Sequence, residues 1–127
     1  MRYLLDTHAL IWYFENSSEL LQKIKELIKR PENDLYVYAM SLWEIAIKVN
    51  LGKLNLSFTF DKLIEDVRKR DFDILQIEDE YLRGLSSLPF IQKDPFDRLL
   101  ISTALAENLT IITIDDNIQK YDVSWIW

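Results

Sequence analysis

The sequence predicts a single α/β domain with a mainly parallel central sheet. Short runs rich in aromatic, β-branched or other apolar residues alternate along the chain with longer segments of helical periodicity; these runs lie at residues 3–5, 35–38, 72–75 and 109–114. A length of 127 residues with 49% apolar composition suits one hydrophobic core and is too short for two domains. We therefore expect one domain over residues 1–127, with about four or five short strands flanked by helices.

Helices are expected in the first half between these strands. The segment from Leu10 to Phe14 is apolar on nearly every side, so it is either buried all round or covered by a partner or a second subunit. Residues 19–30 form an amphipathic pattern with the same two interpretations. A third helix runs from about residue 42 to 51, where Ser41 and Glu44 have capping-box spacing and Gly52 suits the C-terminal end.

The second half continues the alternation. Phe60 to Val67 predict another amphipathic helix, and residues 78–87 favour a helix that ends before Pro89. Asp94 suits an N-cap and Pro95 the first position of a helix that continues to about residue 105. Residues 123–127 predict a last edge strand.

Composition excludes several classes of function. The net charge of −6 and pI near 4.7 do not provide the broad basic surface usual in DNA-binding proteins. Cysteine is absent, which excludes disulfides and thiolate zinc sites, and two glycines are too few for a glycine-rich phosphate loop. We expect a cytoplasmic protein without a membrane segment, because no signal-peptide run precedes Asp6 and no apolar run approaches roughly 20 residues.

The unusual feature of the sequence is a carboxylate on an apolar helical face. At helical spacing Asp97 shares its face with Leu100, Ile101 and Ala104. A carboxylate directed at apolar neighbours costs free energy unless another group compensates it. Its ordinary explanation is a favourable interaction with the helix dipole, worth about 0.3–1 kcal/mol.

Three further acids share this character. Asp6 and Asp115 each follow an apolar strand, at the sheet edge where open α/β sheets bind ligands. Glu44 is the only charge between Leu42 and Ile47. Each also has an ordinary explanation: Asp6 as a helix cap, Glu44 as half of a capping box, and Asp115 with Asp116 as turn residues.

Taken together, the four acids indicate a metal site. Two carboxylates about 5 Å apart repel by roughly 3 kcal/mol at an effective dielectric constant of about 20. Protonation of one or two carboxylates would relieve the repulsion, and so would a divalent cation with oxygen ligands, which favours Mg²⁺ or Mn²⁺ over zinc. Such a site suits phosphoryl chemistry with a metal-activated water. Because His8 is the only histidine, a nucleophilic triad is not expected.

The same residues resemble PIN-domain proteins of the VapC toxin type. The resemblance extends over the whole chain and rests on four blocks: residues 4–12, residues 41–48 with Gly52-Lys53-Leu54, residues 94–101, and residues 109–115. It implies a three-layer PIN-like fold and an Mg²⁺- or Mn²⁺-dependent endoribonuclease, the toxin of a toxin–antitoxin pair. It also implies a homodimer, or a larger complex, inhibited by a cognate antitoxin.

The resemblance assigns the four family acids, as catalytic residues and metal ligands, to Asp6, Glu44, Asp97 and Asp115. Secondary candidates are two acids and two hydroxyl residues: Asp94, Asp116, Thr7 and Thr113. The bases expected to contact RNA are Lys48, Lys53 and Arg98. The chain departs from the family pattern in two places. Relatives often carry a histidine and a basic residue just before the Asp-Pro-Phe-Asp block, where this chain has Ile91-Gln92-Lys93. They also often carry an arginine just before the fourth acid, where this chain has Ile114.

Two other functions compete with the nuclease. One is a catalytically silent PIN-fold module that only engages an antitoxin. The other is an aspartyl-phosphate phosphatase, which requires a second acid two positions after the strand-end aspartate, where this chain has His8.

Overall fold

The computed structural model contains one five-stranded parallel sheet. It describes residues 1–70 and 72–127. The strands are β1 (Arg2–Leu5), β2 (Asp34–Tyr38), β3 (Phe72–Leu75), β4 (Thr110–Ile112) and β5 (Trp125–Ile126). Their spatial order is β3-β2-β1-β4-β5, and each neighbouring pair is parallel. The predicted α/β class, the parallel sheet and the last edge strand are confirmed.

Helices cover both faces of this sheet. They are α1 (Thr7–Glu15), α2 (Gln22–Lys29), α3 (Ala39–Asn50), α4 (Phe60–Lys69), α5 (Asp79–Ser86), α6 (Pro95–Glu107) and α7 (Asp116–Gln119). Side chains of β1 alternate between two apolar clusters: Tyr3 and Leu5 pack with α1, α2 and α4, whereas Leu4 packs with α5, α6 and α7. The result is a three-layer α/β/α arrangement. Within the described residues, none of the helices is long and apolar enough to cross a membrane.

Strand order determines where a ligand site can form. The chain passes from β1 outward to β2 and β3, and then returns to place β4 on the other side of β1. This reversal of direction opens a crevice at the carboxyl ends of the central strands. Asp6 directly follows β1, and the loop after β4 carries Thr113 and Asp115 to the same edge.

The expected capping box at the start of α3 is wrong. The helix begins at Ala39, directly after β2, with Tyr38 in extended conformation at the N-cap and no side-chain cap. Ser41 and Glu44 therefore both lie inside the helix. The C-terminal end is confirmed: Gly52 has φ +70°, a left-handed conformation that glycine adopts without strain.

Two other boundaries differ from expectation. The helix expected from residue 19 begins at Gln22, because residues 17–20 form a turn closed by a hydrogen bond from the Leu20 N–H to the Ser17 carbonyl. The residues after Asp115, for which a turn is the ordinary explanation of the sequence, begin the short helix α7. Local hydrogen bonds at both points decide a boundary that apolar periodicity does not locate.

The apolar segments predicted as partner surfaces lie partly in the core. Leu10 and Ile11 of α1 are buried, as are the apolar residues along the inner face of α2. Burial within the chain explains these residues, whereas Trp12, Tyr13 and Phe14 are only half-buried, and a partner surface over them stays a prediction. Larger exposed apolar side chains lie elsewhere, among them Trp43 and Phe90, which are 60% and 76% exposed.

Gly84 marks a close contact between α5 and α6. A Cβ atom added there would lie 2.7 Å from the Ser102 Oγ, and this hydroxyl is buried and donates a hydrogen bond to the Tyr81 carbonyl. We expect Gly84→Ala to lower the free energy of unfolding by about 1–3 kcal/mol, as overpacking does, measured by urea denaturation. The double variant Gly84→Ala/Ser102→Ala should recover part of this loss. Equal stability of Gly84→Ala and wild type would contradict the contact.

Candidate active site

Asp6 is a buried carboxylate at the centre of the sheet edge. It is 3% exposed, and its side chain caps α1 by accepting a hydrogen bond from the Ala9 N–H at 2.8 Å. The expected capping role is thus present in the structure. Burial raises the pKa of Asp6, while hydrogen bonding from Thr113 and from the Ala9 N–H opposes part of that rise.

The loop after β4 supplies Asp115 and Thr113. The Asp115 side chain accepts a hydrogen bond from the Asn117 N–H at 2.8 Å and caps α7. Thr113 is fully buried, and its hydroxyl accepts from the Asp115 N–H at 3.0 Å. Thr113 thereby links the Asp115 backbone to Asp6. Asp116 is exposed in the first turn of α7.

The beginning of α6 places Asp94 and Asp97 together. The Asp94 carboxylate caps the helix by accepting from the N–H groups of Phe96 at 2.9 Å and Asp97 at 3.2 Å, with Pro95 at the first helical position. This start of the helix is confirmed as predicted. Asp97 lies half-buried one turn into the helix.

The pKa of Asp97 shows which of the separate acids interact with it. The pKa of Asp97 is raised to about 7, first because burial disfavours the charged form and then because of neighbouring carboxylates. In decreasing order of effect, these neighbours are Asp94, Asp115, Glu44 and Asp6. The other three acids predicted from the sequence therefore act on Asp97 from elements that are far apart in the chain.

Glu44 has protein donors on both oxygens. It is 5% exposed; its Oε1 accepts from the Thr7 hydroxyl at 2.7 Å, and its Oε2 accepts from the Lys48 ammonium at 2.8 Å. The bond from Thr7 joins α3 to α1, the bond from Lys48 lies within α3, and together they replace the capping box expected for Glu44. Thr7 is thus in contact with a candidate ligand.

The three candidate RNA-contacting bases lie in different surroundings. Lys48 is bound to Glu44, and Lys53 is exposed just beyond Gly52. The Arg98 guanidinium donates to the Pro89 carbonyl and the Tyr121 hydroxyl, both at 2.9 Å, and lies over the Phe90 ring. Arg98 therefore tethers the loop that precedes α6, and contact with RNA would compete with these bonds.

The donor atoms suit a hard divalent cation. Carboxylate and hydroxyl oxygens are the ligands of Mg²⁺ and Mn²⁺, and the repulsion that neighbouring carboxylates add at Asp97 is the kind that a bound cation removes. Within residues 1–70 and 72–127, however, no three His, Cys, Asp or Glu side chains are already arranged to hold a metal ion. The donor chemistry fits, and the carboxylates would have to draw closer together on binding.

Ser41 is a polar residue of this region that was interpreted from the sequence only as a helix cap. Its hydroxyl is fully buried and, among the described residues, has no hydrogen-bond partner. It lies on the same face of α3 as Glu44 and Lys48, at helical spacing. This spacing could have indicated from the sequence that Ser41 lies beside Glu44. A predicted helix start at Ser41 placed it outside the helix instead.

A family model of the PIN domain matches residues 3–124. This chain belongs to the PIN domain family. A comparison with curated protein sequences found no match.

Solved structures share the fold of this PIN domain over nearly its whole length. VapBC2 from Rickettsia felis, bound to a DNA fragment from their promoter, matches with a TM-score of 0.76 and 17% identity, covering 99% of this chain and 98% of that one. FitAcB from Neisseria gonorrhoeae matches with a TM-score of 0.71 and 18% identity, covering 98% and 96%. VapBC-1 from nontypeable Haemophilus influenzae matches with a TM-score of 0.66 and 18% identity, covering 99% and 97%. These likenesses establish the PIN fold.

Proposed function

We propose that this PIN domain is a metal-dependent endoribonuclease and the toxin of a toxin–antitoxin pair. The observation that carries the proposal is the group of acids around Asp97 at the carboxyl ends of β1 and β4. Burial first, and then the charges of these acids, raise the pKa of Asp97 to about 7. A cluster of carboxylates without a catalytic histidine or cysteine suits phosphodiester hydrolysis that depends on divalent cations.

The acids, hydroxyls and bases of the site have different roles in this proposal. Asp6, Glu44, Asp97 and Asp115 would hold Mg²⁺ or Mn²⁺, with Asp94 and Asp116 as supporting acids. The cation, when bound, lowers the pKa of water and stabilises charge on the leaving oxygen. Thr7 and Thr113 orient Glu44 and the Asp115 loop through their hydroxyls. Lys53 and Arg98 are proposed to attract the RNA backbone.

The proposed partners come from the solved structures that share this fold. The solved structures that share this fold include complexes named VapBC and FitAB, and another is described as a toxin–antitoxin complex from Klebsiella pneumoniae. We infer a cognate antitoxin for this chain, together with a homodimer or a larger toxin–antitoxin assembly in the cytoplasm.

A cleavage assay tests the catalytic part of the proposal. Wild type should cut single-stranded RNA internally in Mg²⁺ or Mn²⁺ and leave it intact in EDTA, because the acids need a cation both to reduce their repulsion and to activate water. Single-turnover reactions on labelled RNA and on DNA of the same sequence, analysed by gel, measure the rate and the substrate class.

The same assay separates the competing functions. Cleavage that persists in EDTA would contradict the metal-dependent mechanism. Absence of cleavage in every metal, combined with Mn²⁺ that does not bind by calorimetry, would favour the catalytically silent antitoxin-binding module.

A further inference from the structure

Lys48 is the basic residue in direct contact with the candidate site. Its ammonium lies 2.8 Å from the Glu44 Oε2, one helical turn further along α3. The Glu44 side chain is 7% exposed, whereas that of Lys48 is 40% exposed, so the ion pair joins a buried acid to a base at the surface. A charge-assisted hydrogen bond is stronger than one between neutral groups, and the low dielectric around a buried carboxylate strengthens it further.

Other acids of the site also act on the Lys48 ammonium. Its pKa is raised first by the hydrogen bond to Glu44, against a smaller lowering by burial, and then by the charges of Glu44, Asp94 and Asp97. Lys48 therefore lies in the combined field of acids from α3 and from the beginning of α6. Among the salt bridges of the described residues, this is the one that involves a candidate metal ligand.

A divalent cation and Lys48 would compete for the same carboxylate. The Thr7 hydroxyl engages Oε1 of Glu44 and Lys48 engages Oε2, so a cation approaching Glu44 meets an ammonium already bound to it. Two positive charges at such a short separation repel strongly in a partly buried site. Binding through Glu44 is therefore favoured when the flexible lysine stem moves the ammonium away.

We propose that Lys48 is a positioning residue which holds Glu44 and sets the affinity of the site for divalent cations by yielding Oε2 as the cation binds. The inference rests on the proposed function insofar as it places a cation at these acids. It assigns to Lys48 a role within the site instead of the RNA contact expected from the sequence.

Calorimetric titration with Mn²⁺ tests this role. Lys48→Gln should bind Mn²⁺ about tenfold more tightly than wild type, because the competing positive charge is lost. Lys48→Arg keeps the charge and should retain the wild-type affinity. Lys62→Gln is the matched control: it removes the lysine of another i,i+4 pair, with Asp66 at 2.7 Å, on α4. Its Mn²⁺ affinity should equal that of wild type.

A measurement on wild type covers the case in which Lys48→Gln does not fold. In a titration with diamagnetic Mg²⁺, the NMR signal of the Lys48 ammonium should shift as its bond to Glu44 is released, with the same midpoint as the calorimetric binding curve. The Lys62 signal should not follow that curve.

The outcomes distinguish the inference from the proposed function. If wild type binds Mn²⁺ but Lys48→Gln binds it equally or more weakly, Lys48 only supports Glu44 and the inference fails alone. A Lys48 signal that stays constant while Mg²⁺ binds would have the same consequence. If wild type binds neither cation, the metal-dependent function fails and the role of Lys48 fails with it.

Discussion

Asp97→Asn is expected to reduce Mg²⁺-dependent RNA cleavage by roughly 10²–10³-fold or more, the scale on which removal of one electrostatic catalytic group acts. Asp97 is the acid on which Asp94 and the other three proposed ligands act, so its charge belongs to the cluster. Asparagine keeps the size of the side chain and one oxygen but removes the charge that binds a cation. Single-turnover cleavage of labelled RNA in Mg²⁺ measures the loss.

An exposed acid provides the control for this substitution. Asp73→Asn changes the same charge on β3, at the opposite edge of the sheet from β5, and should keep the wild-type rate. Circular dichroism should show that Asp97→Asn is folded. Cleavage by Asp97→Asn at the wild-type rate would contradict the assignment of Asp97 to the catalytic site.

The stability of the protein in EDTA should fall as pH rises from about 4 to 7. The Asp97 carboxyl has a pKa of about 7 in the folded state, compared with about 3.9 in an unfolded chain. Between these values the folded protein keeps a proton that the unfolded chain releases, so the free energy of unfolding decreases with pH. Burial raises the pKa of Asp6 as well, which adds to the same trend.

The expected size of this effect follows from the shift. A difference of about three pKa units corresponds to about 4 kcal/mol, and solvent screening of the half-buried carboxyl reduces the expectation to about 1–2 kcal/mol. Urea denaturation in EDTA at pH 5 and pH 8 measures it. Asp97→Asn should be more stable than wild type at pH 8 by this amount and nearly equal to it at pH 5.

The stabilisation of the folded protein by a bound cation is a second test of the repulsion between Asp97 and its neighbouring carboxylates. Mn²⁺ at about a hundred times its dissociation constant should raise the stability of wild type at pH 8 by about 2.7 kcal/mol, and that of Asp97→Asn by less. Asp73→Asn should follow wild type at both pH values. A wild-type stability that rises from pH 5 to pH 8 in EDTA would contradict the buried, repelled state of Asp97.

Several features of this protein follow from its sequence alone. Alternation of apolar strands and helices predicts the parallel α/β sheet, because strand and helix periods differ. Asp94 and Pro95 predict the beginning of α6, because a cap and a first-turn proline act within a few residues. Asp97 stands out because a charge on an apolar face is costly wherever the helix packs.

The tertiary structure decided what depends on distant parts of the chain. β2 passes directly into α3, so Ser41 became a buried helical residue instead of a cap, and Glu44 was left to bond with Thr7 and Lys48. The burial of α1 and α2 likewise depends on which faces meet across the sheet. Local propensity sets caps and periodicity, whereas the partners of a buried carboxylate depend on which elements the fold brings within a few ångströms of it.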